Sequence, residues 1–177
     1  MIPAATQTLA EILAGGISML STEQIDFSHP SVAQEVNPRL NLYCYSIREN
    51  VCKQPSGCQH SIQQRGSTLA PPRWFDLLFL VSAWDFTSLG EQRLLSEALI
   101  LLLAHHSLGE EMLPPTLRGH GELPITVSAI HPIDAAALWS ALSVPLRPAL
   151  YVTLTIPLNL RSDILIHNNG EMWLKKN

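Results

Sequence analysis

Between Pro71-Pro72 and Asp85 the chain carries Arg73-Trp74-Phe75-Asp76-Leu77-Leu78-Phe79-Leu80-Val81-Ser82-Ala83-Trp84. Only Arg73, Asp76 and Ser82 interrupt its apolar character. Twelve residues of helix would rise about 18 Å, too short for roughly 30 Å of hydrocarbon. A run this rich in aromatic and branched side chains reads instead as a strand covered on both faces. The flanking prolines and the polar Asp85–Gly90 stretch bound it. The other elements are expected to pair beside this strand or to pack on it.

A chain of 177 residues suits one domain and can bury a core without disulfides or metals. Apolar residues make up 46% and charged residues 15%, the latter well under the usual share of about 25%. That balance excludes disorder and points to a surface partly covered by partners. The net charge of −4 argues against nucleic acid as a partner, since phosphate contacts need clustered Lys and Arg. The arginines are scattered, and only Lys175-Lys176 form a pair. Met1-Ile2-Pro3 has no basic stretch ahead of apolar residues, so no secretory signal is read there. With an odd number of cysteines (Cys44, Cys52, Cys58), this reads as a reduced chain, cytoplasmic at synthesis and not inserted in a membrane.

Residues 4–20 space Leu9, Ile12, Leu13, Gly16, Ile17 and Leu20 along one helical stripe. Thr8 and Glu11 match a capping box, which leaves a later helix start open. Ile25 to Ser28 reads as a short strand, and Leu40 to Ile47 as a clear one. In the second, Leu40, Leu42, Cys44 and Ser46 alternate with Asn41, Tyr43, Tyr45 and Ile47. The polar segment 51–72 exceeds any ordinary hairpin loop and reads as an arm or as ragged strand extensions. Ser88 and Glu91 suggest a capping box for a helix running to about His106. Its centre, Ala98 to Ala104, is apolar all round, which implies burial on more than one side. Residues 125–130 and 151–158 alternate as strands, with a short helix over 133–142 between them. Pro157 cannot donate to a ladder and belongs at an edge or a strand end. Ile164, Leu165 and Ile166 read as one more strand, and Asn169-Gly170 as a turn that could return Trp173 in a hairpin. The fold class is therefore α+β: a single domain, mainly antiparallel or mixed sheet, packed with two to three helices.

Sites for chemistry are sparse. His105 and His106 are adjacent on the expected helix and face different ways. Cys52, Cys58 and His60 match no usual zinc spacing. The chain has no nucleotide-binding glycine loop and no nucleophile elbow. Asp76 is a lone carboxylate inside the apolar strand, set at an interface, on a half-exposed face, or paired with Arg73 or Arg147. No acid–base or nucleophile–base set can be assembled, so no catalytic residue, metal or cofactor is assigned and the chain reads as a non-enzyme.

Several blocks resemble the tail-terminator (cap) proteins of extracellular contractile injection systems, of the antifeeding-prophage and Photorhabdus-virulence-cassette type. They are Leu40-Asn41-Leu42-Tyr43-Cys44-Tyr45 with Arg48-Glu49-Asn50, and Pro72-Arg73-Trp74-Phe75-Asp76-Leu77 through Val81-Ser82-Ala83-Trp84. Next come Glu91-Gln92-Arg93-Leu94-Leu95, then Leu138-Trp139-Ser140-Ala141-Leu142 followed by Pro145-Leu146-Arg147-Pro148-Ala149-Leu150. They cover roughly residues 1–160. The resemblance implies a tail-terminator-like domain over 1–160 and a strand or hairpin extension over 161–177 that could contact sheath. It implies a homohexameric ring that ends tube and sheath polymerisation and holds the sheath extended. Its partners would then be its own copies, inner tube protein and sheath protein, in a particle that is released or membrane-anchored. Candidate interface residues are Arg73, Asp76, Arg147, Ile164, Leu165, Ile166 and Trp173. Rival readings are a tail-completion or baseplate adaptor of the same machine, and a free-standing ligand- or peptide-binding module.

Overall fold

The structure, a computed structural model, describes residues 1–17, 20–32, 38–53, 72–128 and 134–158. Among these residues, three α-helices and six strands are arranged as α1 (Ile2–Gly16), β1 (Ile25–Asp26), β2 (Arg39–Glu49), β3 (Arg73–Trp84), α2 (Ser88–Ala104), β4 (Ser107–Leu108), β5 (Leu123–Val127), α3 (Ala135–Ala141) and β6 (Ala149–Leu158). The strands form one mixed sheet in the order β1-β2-β3-β6-β5-β4, parallel only at β1–β2. This is the α+β class expected from the sequence.

The apolar run at 73–84 is β3, and it is central. β2 pairs along one side of it from Arg39↔Trp84 to Glu49↔Phe75, and β6 along the other from Arg73↔Leu158 to Ser82↔Ala149. Side chains alternate across the sheet, so each face of β3 needs its own cover. Leu77, Phe79, Val81 and Ala83 join the main core with Leu9 and Leu13 of α1 and Leu94, Ala98 and Leu102 of α2. On the opposite face Leu80 packs with Tyr151 and with Leu138, Trp139 and Leu142 from α3 and the turn after it. A strand buried on both faces has no polar face to show, which is why it reads as a continuous apolar run.

Several expectations shift in detail. α1 begins at Ile2, with Pro3 in its first turn, rather than at Thr8. Thr8 lies mid-helix, and its hydroxyl donates back to the Ala4 carbonyl at 3.0 Å. Of Gly15 and Gly16, only the second is closely packed: a Cβ on Gly16 would lie 2.3 Å from Leu101 Cδ2 of α2, whereas one on Gly15 would meet nothing within 4 Å. In β2 the alternation breaks at a bulge, because Cys44 pairs with Phe79 and Ser46 with Leu78. Tyr45 is the extra residue, which moves Ile47 to the face of Leu40 and Leu42. α2 ends at Ala104, so His105 and His106 lie past its last turn. The connection after it holds the two-residue β4 and two short 3₁₀ turns, which bury Leu108, Leu113 and Leu117 in the main core. Pro157 sits near the end of β6, beyond the stretch Val152–Leu154 that β5 pairs, as its missing N–H requires.

The apolar all-round centre of α2 is not buried all round. Leu94, Leu95, Ala98 and Leu102 face the core, while Ile100 is 67% and Leu103 51% exposed. Leu102→Ala is therefore expected to lower unfolding free energy by about 2–5 kcal/mol, and Ile100→Ala by no more than about 0.5 kcal/mol. Urea midpoints at constant slope check both, and equal costs would contradict this orientation of the helix.

Candidate functional site

The two ends of β3 carry most of the polar chemistry in the sheet. At the N-terminal end, register places Arg48, Asp76 and Thr155 in one row across β2, β3 and β6. Asp76 is 8% exposed. Its Oδ1 accepts from Asn50 Nδ2 and from Thr155 Oγ1, each at 2.8 Å. Arg48 Nε lies 3.5 Å from Oδ2. A buried carboxylate is tolerated when its oxygens are satisfied in this way. The ion partner of Asp76 is thus Arg48, its directly opposed neighbour, and not Arg73 or Arg147. Asn50 also donates its backbone N–H to the Trp74 carbonyl at 2.9 Å and accepts from the Lys53 N–H at 3.0 Å. The turn leaving β2 is thereby tied to β3.

Arg73 grips Glu49 across the same end, with Nη2 2.6 Å from Oε1 and 2.7 Å from Oε2. The Lys53 ammonium lies 4.5 Å from the Trp74 ring centroid. This end of the sheet therefore presents alternating charges clamped to one another. Such pairs add little stability where exposed but fix side-chain positions.

At the C-terminal end the Arg147 guanidinium lies 3.7 Å from the Trp84 ring centroid. Its Nη2 donates to Glu91 Oε1 at 2.7 Å. Glu91 is therefore committed to Arg147 and not to a capping box. The helix cap is Thr87, whose Oγ1 accepts from the Gly90 N–H at 3.0 Å. A Cβ on Gly90 would meet the Asp85 carboxylate, which would have to swing aside. The sequence neighbours Phe86, Leu89 and Leu146 are all exposed. A stacked, ion-paired arginine beside exposed apolar side chains has the composition of an interface centre.

A third feature lies along α1. A groove of about 630 Å³ is lined by Ile2, Pro3, Thr6, Ala10, Glu11 and Phe27. It has no titratable pair or nucleophile suited to catalysis. Burial pushes the Cys44 thiol up from its ordinary value, opposite to what a reactive thiol needs. No group of three metal-binding side chains occurs among the described residues. His105 follows α2 as its C-cap residue, with Nδ1 2.9 Å from the Leu101 carbonyl. No helix among the described residues is long and apolar enough to cross a membrane.

Of the candidate interface residues, Arg73 and Asp76 stand at one end of β3 and Arg147 at the other, so they do not form one site. Ile164, Leu165, Ile166 and Trp173 lie outside the described residues, as do Cys58 and His60. Sequence reasoning missed Arg48, Asn50 and Thr155. Arg48 and Asp76 become neighbours only once the bulge at Tyr45 sets the register.

The fold is similar to that of two solved terminators. The chain matches the PVC sheath/tube terminator in the extended state at a TM-score of 0.60 and 16% identity. The match covers 89% of this chain and 56% of that one. It matches the anti-feeding prophage cap, a tube-terminating cap, at a TM-score of 0.56 and 14% identity, over 85% of this chain and 52% of that one. The chain thus spans about half the length of both structures. Residues 4–164 match the model of the Pvc16 N-terminal domain, and the chain belongs to that family. The resemblance to tail terminators of contractile injection systems, read from blocks such as Leu138 to Leu142, is borne out. No curated protein matches the chain.

Asp76→Ala is expected to cost about 1–3 kcal/mol, because it strands the Thr155 hydroxyl and Asn50 amide. Combining it with Thr155→Val should cost less than the two single changes summed. Urea denaturation of the four proteins in this cycle checks it, and strict additivity would refute the buried network.

Proposed function

We propose that this protein is the terminating cap of a contractile injection particle. Copies would close into a six-membered ring on the distal end, stop addition of inner tube and sheath subunits, and hold the last sheath layer extended. The observation that carries the reading is the family match over residues 4–164, together with a shared fold in two structures described as terminators.

The physics of the surface agrees. Tubes grow by an open-ended head-to-tail contact, and a terminator must match the last disc without repeating its growing face. A ring buries lateral surface on every copy, which suits a chain with few charges. Among the described residues, Phe86, Leu89, Ile100, Leu103 and Leu146 leave large apolar side chains in solvent. The role is structural and not catalytic, in line with the neighbours named as sheath and tube terminators. Its partners are its own copies, inner tube protein and sheath protein, with assembly in the cytoplasm. Arg147 with Phe86 and Leu146, and Arg73 with Glu49, are the described places where such contacts would centre.

Deleting this protein is expected to give particles whose tubes have no uniform length and whose sheaths are shortened or lost. Electron microscopy of preparations with and without it makes the test. Particles of normal, uniform length and extended sheath in its absence would overturn the cap reading.

A further inference from the structure

On the α3 face of the sheet, register sets the side chains in rows, since every second residue of a strand shares a face. Tyr43, Leu80 and Tyr151 form one row across β2, β3 and β6, and Asn41, Ser82 and Ala149 form the next. Arg39 and Trp84 follow, with the Arg147 guanidinium stacked on the indole. The middle row differs from both neighbours. Ser82 and Ala149 are small, while the side chains on either side are tall, so the row is a trough in the sheet face. Asn41 and Ser82 are nevertheless fully buried. Asn41 Nδ2 donates to the Ser28 carbonyl at 2.9 Å and to the Asp26 carbonyl at 3.4 Å. Both amide hydrogens are thereby used, which leaves Oδ1 as a pure acceptor at the other end of the amide. Asn41 Oδ1, Ser82 Oγ and the indole Nε1 atoms of Trp84 and Trp139 are all buried, and among the described residues none has a hydrogen-bond partner. Trp139 packs in one cluster with Leu80 and Ala149, the neighbours of Ser82 along and across the strands. Buried polar groups are otherwise paired, because leaving them dry costs more than a typical hydrogen bond returns.

We propose that the trough bounded by Asn41, Ser82 and Trp139 is a binding site for internal water. The water accepts from the Trp139 N–H, donates to Asn41 Oδ1 and shares a hydrogen bond with the Ser82 hydroxyl. That gives it three polar partners, the usual number for a buried water. The Trp84 N–H, one row on, is a further donor to the same chain of water. Chemistry and access choose the ligand. Indole donors, an amide acceptor and a hydroxyl together call for a molecule that both donates and accepts. The row itself has no charged side chain to hold an ion. Polar atoms this deeply buried admit nothing that needs an open mouth. A dry trough would have to be lined by apolar groups alone, and this one is not. The bound water ties α3 to β2 and β3, beneath the turn that carries Arg147. This inference does not rest on the cap reading.

Water–protein NOE and ROE spectra of the full chain, with nitrogen-15 in its indoles, test this. Trp139→Phe assigns the Trp139 N–H resonance. That proton should show a cross-peak at the water frequency with opposite signs in the two spectra, the mark of water held far longer than surface water. Ser82→Ala should keep the cross-peak, because Asn41 and the indole still hold the water; this separates bound water from relay through the Ser82 hydroxyl. Ser82→Leu, which fills the trough, should abolish it in a chain that far-UV circular dichroism shows to be folded. Should the filled variant not fold, a crystal structure of the unaltered chain gives the second reading: a water within about 3.2 Å of both Asn41 Oδ1 and Ser82 Oγ. The inference is overturned if the Trp139 N–H shows no such cross-peak, or if Ser82→Ala removes it. It is also overturned if the cross-peak survives in folded Ser82→Leu, or if the crystal structure finds Asn41 Oδ1 and Ser82 Oγ bonded to protein groups instead. None of these outcomes bears on whether the protein caps a particle, so the two readings fail separately.

Discussion

The structure depends on keeping the centre of β3, from Asp76 to Ala83, out of water. Ten of its registered positions are shared with β2 and ten with β6, so its backbone bonds are made on both sides. Its side chains are covered by α1 and α2 on one face and by α3 on the other. Burying so many aliphatic and aromatic groups supplies the main driving force, at roughly 25 cal/mol per Å² of apolar surface. The same burial makes any polar group on the strand costly unless it is bonded. Asp76 is accommodated because the two neighbouring strands place Arg48 and Thr155 directly opposite it and the turn after β2 supplies Asn50.

The strands and helices with strong periodicity were legible in the sequence, since period 2 and period 3.6 report directly on which face is buried. β6 and the stripe on α1 are of this kind, whereas β3 was legible as an unbroken apolar run between prolines and a polar stretch. What could not be read depended on contacts between distant residues. A bulge at Tyr45 needs a partner strand to define it, so the face of Ile47 and the partner of Asp76 were both misjudged. Thr87 displaced Ser88 as the cap because Glu91 was drawn to Arg147, fifty-six residues on. Hydrophobicity alone marked Ile100 and Leu103 as buried, yet α2 has only one side facing the sheet and α1. β4 and the 3₁₀ turns have too few residues to produce a period. The candidate site was legible only in part: Arg73, Asp76 and Arg147 were identified as unusual, but not the separate ends of β3 that they occupy.

The family match and the shared fold point the same way. The Pvc16 N-terminal domain match and the two terminator structures describe a domain about half as long as those whole chains. That domain has no catalytic constellation among its described residues. Its distinguishing features among these residues lie at its periphery: an apolar cluster around a stacked arginine and a clamped charged end. Each is better suited to holding a neighbour than to transforming a small molecule.

The most direct measurement is a reconstruction of the intact particle by cryo-electron microscopy, focused on the tip of the tube without imposed symmetry. The account predicts a closed ring of this fold at one end only, seated on the last tube disc and touching the last sheath layer. A bare tube tip, or this fold found along the shaft or nowhere on the particle, would contradict it.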